Sequence, residues 1–180
     1  MRITGGEFRG KKLFLPKTLW VRPPSDKVRQ ALFNMLPPLE GKTFLDLFAG
    51  SGSVGIEALS RGVSSCTFVE LNTTYLRKNL ESFPRSSYSI LKGSIPHILK
   101  KVKKQCDIIY ADPPFDSEDT LEKTIETLKS LPNIFTNNSF LVVRQNIRNE
   151  KTLRKGLHIL KEKIYGESRL FFYQKSEGKI

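Results

Sequence analysis

The stretch Asp107–Phe115 reads DIIYADPPF. An apolar, strand-like run ends in a carboxylate, two prolines and an aromatic ring, and that combination suits one kind of reaction. An exocyclic amine on a nucleobase attacks poorly, because its lone pair is delocalised into the ring. It becomes a nucleophile when acceptors hold its two N–H groups and the lone pair points at an electrophilic carbon. Asp112 supplies a carboxylate acceptor. Pro114 carries no N–H, so it leaves the Pro113 carbonyl free and fixes its direction. Phe115 offers a face on which a flat ring can stack. The chemistry would be orientation and electrostatics at close approach, not strong base catalysis. Taken alone, the same four residues also suit a rigid turn from strand to loop.

A second corner lies upstream, where DLFAGSGSVGIEA contains Gly50-x-Gly52-x-x-Gly55. The motif follows an expected strand and opens an expected helix, which is the context it requires. The next strand ends at Glu70, twenty positions beyond Gly50, where a carboxylate can accept the two hydroxyls of a ribose. Nicotinamide dinucleotides and S-adenosylmethionine both use such a corner. Asp46, four residues before the first glycine, helps to separate them. A pyrophosphate would be repelled by an added carboxylate, whereas the ammonium and sulfonium groups of S-adenosylmethionine would be attracted. Asp46 could instead serve only to order the loop.

The elements that must position these corners alternate. Residues 2–15 read as a glycine-turned hairpin or extended arm, and Ser25 caps a helix closed by Pro37-Pro38. TFLDLF, CTFVE, YSILK, CDIIYA and SFLVVRQ are expected strands, separated by helices VGIEALSRG, NTTYLRKNLESF, IPHILKKVKK and SEDTLEKTIETLKSL. That alternation implies a parallel, doubly wound sheet with helices on both faces. After Asn149 the pattern changes: a short helix or loop, NEKTLRKG, leads to LHILKEKIYG and RLFFYQK, which fit a closing antiparallel hairpin turned at Gly166-Glu167. The Phe171–Tyr173 run belongs to the strand core. His97 and His158 fall on ordinary element patterns and receive no chemistry.

Bulk composition narrows the partners. The chain has 180 residues, a net charge of +12 and a pI near 9.8. Residues 1–29 hold eight Lys/Arg against two acids, residues 30–143 twelve of each, and residues 144–180 ten against four. The excess positive charge thus sits at the two ends, which makes nucleic acid the leading partner. No basic amphipathic helix stands out for a membrane surface. No apolar run reaches bilayer length and no secretory h-region opens the chain. Cys66 and Cys106 have neither CxxC nor zinc spacing, which fits a reduced cytoplasmic protein without a metal.

Together, RITGGEFRGKKL, RPPSDKVRQALFNML, LDLFAGSGSVGIEALSRG and ADPPF resemble the bacterial 16S rRNA guanine-N2 methyltransferases of the RsmD type, over residues 2 to about 116, with weaker agreement in YGESRLFFY. The resemblance implies an α/β, Rossmann-like methyltransferase fold. Its mostly parallel seven-stranded sheet would carry a C-terminal antiparallel hairpin and a small N-terminal β-hairpin extension. The basic arm would span 1–24 and the methyltransferase domain 25–180. It implies S-adenosyl-L-methionine as donor and N2-methylation of a guanine in 16S rRNA, within the small subunit or an assembly intermediate, by a cytoplasmic monomer. Asp46, Phe48, Gly50, Gly52, Glu70 and Leu71 would line the donor site, with Ser94 a weaker contact. Asp112, Pro113, Pro114 and Phe115 would hold the target base. Arg2, Arg9, Lys11, Lys12, Arg22, Lys27 and Arg29 would meet RNA phosphate.

The chain departs from the family pattern at three places. Pro24 stands where a threonine is common, Gly93-Ser94 where an acid or amide is expected, and Arg144-Gln145 where the fifth strand usually ends in Glu. Three rivals stand beside the leading reading. A DNA adenine or cytosine amino-methyltransferase shares DPPF but would want a target-recognition domain. A non-catalytic RNA-binding assembly factor would not need an intact Asp112. A dehydrogenase leaves DPPF unexplained.

Overall fold

The computed structural model describes residues 1–16, 23–114, 118–148 and 156–175, with the side chain of residue 118 excepted. Helix α1 spans Asp26–Met35, β1 Thr43–Leu47, α2 Ser53–Ser60, β2 Ser65–Glu70, α3 Thr74–Leu80, β3 Tyr88–Lys92 and β4 Ile108–Ala111. Helix α4 spans Glu118–Lys129, β5 Phe140–Asn146, β6 Leu157–Tyr165 and β7 Ser168–Lys175. The strands form one seven-stranded sheet in the order β3-β2-β1-β4-β5-β7-β6. Strands β1 to β5 run parallel, and β7 inserts antiparallel between β5 and β6.

The expected α/β, mostly parallel sheet with a closing hairpin is therefore what the chain forms. The reason lies in burial. Strand β4 (IIYA) is buried at every position, and β5 is buried through Leu141–Gln145, as helices on both faces require. Successive side chains alternate faces. Phe44, Phe68 and Tyr110 join Val28, Leu32, Phe33 and Ile56 of α1 and α2 on one side. Leu45, Leu47 and Ile109 join Leu121, Ile125 and Leu128 of α4 on the other. Ser25 caps α1 by accepting the Val28 N–H at 3.3 Å, and Leu36 turns extended ahead of Pro37, as a residue before proline must.

The N-terminal arm folds back through an antiparallel bridge between Arg2 and Lys12. Ile3 and Leu13 enter the same core as α1 and α2, so apolar burial as well as backbone pairing holds the arm down.

One expected element is shorter than its sequence suggests. Residues 95–104 read as a helix, yet only a single 3₁₀ turn, His97–Lys101, forms. Pro96 cannot donate a backbone hydrogen bond, and the buried anchors Leu99 and Val102 lie three apart. Val102 is already extended (φ −69, ψ 121), so the chain leaves the turn there instead of continuing as a helix. The expected helix or loop at 149–156 lies outside the described residues except for Gly156.

Candidate active site

The sheet's topology decides which residues meet. Strand order reverses between β1 and β4, the place where ligands bind in open α/β sheets. These strands are parallel neighbours, with Leu47 opposite Ala111. The chain therefore leaves β1 into the glycine turn and β4 into Asp112 side by side, one strand spacing of about 4.8 Å apart. Strand β2 flanks β1 on its other side and ends at Glu70. Asp46, Glu70 and Asp112 thus gather along the carboxyl edge of three adjacent strands, close enough that Asp112 and Glu70 both act on the Asp46 charge.

Asp46 is buried, and its Oδ2 accepts the Gly55 N–H at 2.8 Å. Gly55 has to be glycine. A Cβ there would stand 2.4 Å from the Phe68 ring, 2.8 Å from Cys66 Sγ and 2.9 Å from Asp46 Oδ2. Burial pushes the Asp46 carboxyl up to about 8; the Gly55 hydrogen bond pulls the other way, and the Asp112 and Glu70 charges add to the rise. Asp46 therefore orders the turn and also holds latent negative charge beneath it.

Glu70 Oε2 accepts the Gly50 N–H at 2.7 Å and Oε1 accepts the Asn72 N–H at 2.9 Å. A carboxylate oxygen has two lone pairs, so each oxygen keeps one for a ligand hydroxyl. Gly50 has φ +56, and nothing lies within 4 Å of the direction its Cβ would take. The turn thus leaves open space against its backbone. Leu71 is 63% exposed beside Glu70, an apolar surface at the edge of that space. Gly93 N donates to the Glu70 carbonyl at 3.2 Å, which brings exposed Ser94 to the same end of the sheet. These residues fit a cationic nucleoside with a ribose.

Two features of this corner were missed by the reading of the sequence. Phe48 adopts φ 59, a left-handed conformation for a non-glycine residue, which costs about 1–3 kcal/mol and often marks a functional turn. Asn79 on α3 is buried and donates from Nδ2 to the carbonyls of Ser51 (2.9 Å) and Phe14 (3.0 Å). Its Oδ1 accepts the Phe14 N–H at 2.7 Å. One amide therefore ties the arm to the glycine turn. The available signal was a polar residue at i+3 from Leu76 on an otherwise apolar helix face.

Across the corner, Arg144 Nη1 donates to Asp112 Oδ1 at 3.0 Å and to Oδ2 at 2.9 Å. The Tyr110 hydroxyl donates to Oδ2 at 3.2 Å. The Asp112 and Arg144 side chains are 11% and 8% exposed, so the pair is nearly closed to solvent. Burial raises the Asp112 carboxyl above its ordinary value, while the Arg144 charge and hydrogen bonds and the Tyr110 hydroxyl hold it down. Pro113 is half-buried and Pro114 exposed. Among the described residues no group donates to the Pro113 carbonyl. Phe115 lies outside the described residues.

Of the basic residues, Arg2, Arg9, Lys12 and Lys27 are exposed. Lys11 is half-buried, bonded to Ser82 Oγ and lying 5.5 and 5.2 Å from the Phe8 and Phe83 rings. Arg22 lies outside the described residues. Arg29 corrects its expected role. It is 0% exposed, with Nε on Glu57 Oε2 at 3.0 Å, Nη1 on the Pro24 carbonyl at 3.0 Å and Nη2 on Asp26 Oδ1 at 2.9 Å. It shares the buried face of α1 with Val28 and Leu32, so it is an interior strut and meets no phosphate. A separate cavity of about 260 Å³, lined by Arg77, Arg85 and Tyr88 among others, lies by the N-terminal end of β3, away from this corner.

Comparison with known proteins agrees with this geometry. The family model described as conserved hypothetical protein 95 matches residues 1–174. Ribosomal RNA small subunit methyltransferase D of Escherichia coli K12 is 32% identical over 186 residues, covering 97% of this chain and 90% of that protein. Its namesake in Haemophilus influenzae is 41% identical over 123 residues, covering 64% of each chain. A solved Escherichia coli chain, described as a candidate methyltransferase, superposes with a TM-score of 0.83 at 32% identity, covering 98% of both chains. The protein belongs to the conserved hypothetical protein 95 family, the RsmD-type family of methyltransferases.

Proposed function

We propose that the protein transfers a methyl group from S-adenosylmethionine to the exocyclic N2 of a guanine in small-subunit ribosomal RNA. The names of its relatives support methylation of that RNA. One observation carries the chemistry: the glycine turn and Asp112 leave neighbouring parallel strands at the same edge, with Leu47 paired to Ala111.

When bound, S-adenosylmethionine would supply an electrophilic methyl group on a sulfonium. The protein's own residues do the rest. Glu70 and Asp112 favour a cation at the turn, a bound cation would in turn draw the proton off Asp46, and the remaining lone pairs on Glu70 suit ribose hydroxyls. Leu71 offers an apolar face to the adenine. Asp112 accepts one N–H of the target amine and the Pro113 carbonyl another, which turns the amine lone pair toward the methyl carbon. Asp112, as an acceptor of that amine, is also placed to take the proton that the methylated amine sheds. Arg2, Arg9, Lys11, Lys12 and Lys27 neutralise RNA phosphate around the site, which adds affinity without choosing the base.

The test is tritiated methyl transfer. Label is expected on guanine N2 in small-subunit particles from a strain lacking this protein, and none on duplex DNA. Transfer to adenine or cytosine of duplex DNA at equal rate would overturn the RNA reading. Absence of transfer to any nucleic acid, with the donor bound, would favour an assembly factor.

A further inference from the structure

We propose that Arg144 is a positioning residue for this reaction: its guanidinium, held by Ser168, fixes the Asp112 carboxylate so that one acceptor place, on Oδ1, remains for the target amine. The inference rests on Asp112 acting as the amine acceptor. It goes further by assigning how that acceptor is made ready and which part of the fold makes it so.

Lone-pair arithmetic carries the argument. A carboxylate offers about four acceptor sites, two on each oxygen. Tyr110 hydroxyl and Arg144 Nη1 fill both on Oδ2, while Arg144 Nη1 fills one on Oδ1. A single place is left. The amine can therefore give Asp112 one N–H only, and its second N–H must find another acceptor, for which the adjacent Pro113 carbonyl is available. An untethered carboxylate would rotate and could take both.

Arg144 is itself pinned. Its Nε donates to Ser168 Oγ at 3.0 Å, and Ser168 is buried at the first position of β7, paired with Asn146. The C-terminal antiparallel hairpin thereby reaches the reaction centre through two side chains. A positive charge between β5 and the carboxylate also favours the ionised acceptor against its burial. Among the described residues, the ionisable groups facing Asp112 are Arg144 on β5, Tyr110 on β4 and Asp46 on β1. Of these only Arg144 brings positive charge.

The experiment measures kcat and KM against pH for methylation of small-subunit particles lacking the modification, using wild type, Arg144→Met, Arg144→Lys, Ser168→Ala and Asp112→Asn. Binding of S-adenosylhomocysteine reports that each variant is folded. Arg144→Met is expected to lower kcat at pH 7 by about ten- to a hundred-fold, with little change in donor KM. Loss of the neighbouring positive charge raises the carboxyl further, so the acid limb should move up by about one pH unit or more and activity should recover partly at high pH. Arg144→Lys keeps the charge but has no second nitrogen for Ser168, so its acid limb stays near the wild-type position and its kcat lies between the two. Ser168→Ala should lower kcat a few-fold in the same direction and decides the matter should Arg144→Met fail to fold. Wild-type kcat and an unmoved acid limb in Arg144→Met, or in Ser168→Ala as its substitute, would overturn the proposal. Asp112→Asn separates the two claims. If it is inactive while Arg144→Met matches wild type, only the role of Arg144 fails. If it is fully active, the amine-acceptor reading fails first.

Discussion

Among the described residues, two arginine–carboxylate pairs are closed or nearly closed to solvent on both sides, Arg29–Glu57 and Arg144–Asp112, and they are built to opposite ends. Glu57 receives Arg29 Nε and the Thr4 N–H on Oε2, and Thr4 Oγ1 with Arg61 Nε and Nη2 on Oε1. That is more donors than its lone pairs can serve singly, and both partner side chains are 0% exposed. Its valence is spent on joining the arm, α1 and α2. Asp112 keeps a lone pair, 11% exposure and a position at the strand ends. The lesson is that burial of an ion pair does not separate scaffold from site. What separates them is whether any acceptor capacity is left over and what it faces.

Breaking each pair should therefore damage a different property. Asp112→Ala is expected to reduce methyl transfer by about 10²–10³-fold, the scale for losing one preorganised polar contact to a reacting group. Donor binding by calorimetry should change little; loss of donor binding in parallel would move Asp112 to the cofactor side. Arg29→Met should instead cost up to about 3–5 kcal/mol of stability, because it takes the fully buried cation from a fully buried carboxylate and leaves it with Thr4 and the partly exposed Arg61. The urea midpoint reads this directly, and a midpoint close to wild type would mean that Arg61 alone can satisfy Glu57.

Asp46 sharpens the comparison through pH. Its folded carboxyl titrates at about 8, against roughly 3.9 in an unfolded chain. Between those values the folded state keeps a proton that the unfolded chain has lost. The stability this group contributes is full below about pH 4 and falls as pH rises toward 8. Asp46→Asn retains an acceptor for the Gly55 N–H and should flatten that slope, giving a higher urea midpoint than wild type at pH 8 without donor. An identical slope in the variant would contradict the burial account. The smallest effect is expected at the surface. Lys11→Glu with Lys12→Glu should weaken RNA binding and lower the magnitude of its salt slope by about 1–2; an unchanged slope would take these lysines out of the interface.

Much of this was legible in the chain itself. Strand–helix alternation gave the parallel sheet, Ser25 marked the start of α1, and Gly166-Glu167 marked the final turn. The glycine corner and Asp112 could be located because their residue types follow from local backbone needs. Arg29 could not be read correctly. Its partner lies 28 residues away on another helix, so a basic residue in a basic stretch looked like surface. The tie from Arg144 to Asp112 was hidden for the same reason, being set by strand order across 32 residues. Asn79 was invisible because an amide's value depends on which backbone groups arrive beside it, and neither Phe14 nor Ser51 is near in sequence.

That single amide has a mechanical result. Because Asn79 grips both the arm and the turn through Ser51, loosening either should slacken the other. In a hydrogen-exchange measurement the Phe14 and Gly52 amides would then open on a common clock, and Asn79→Leu would set them running separately.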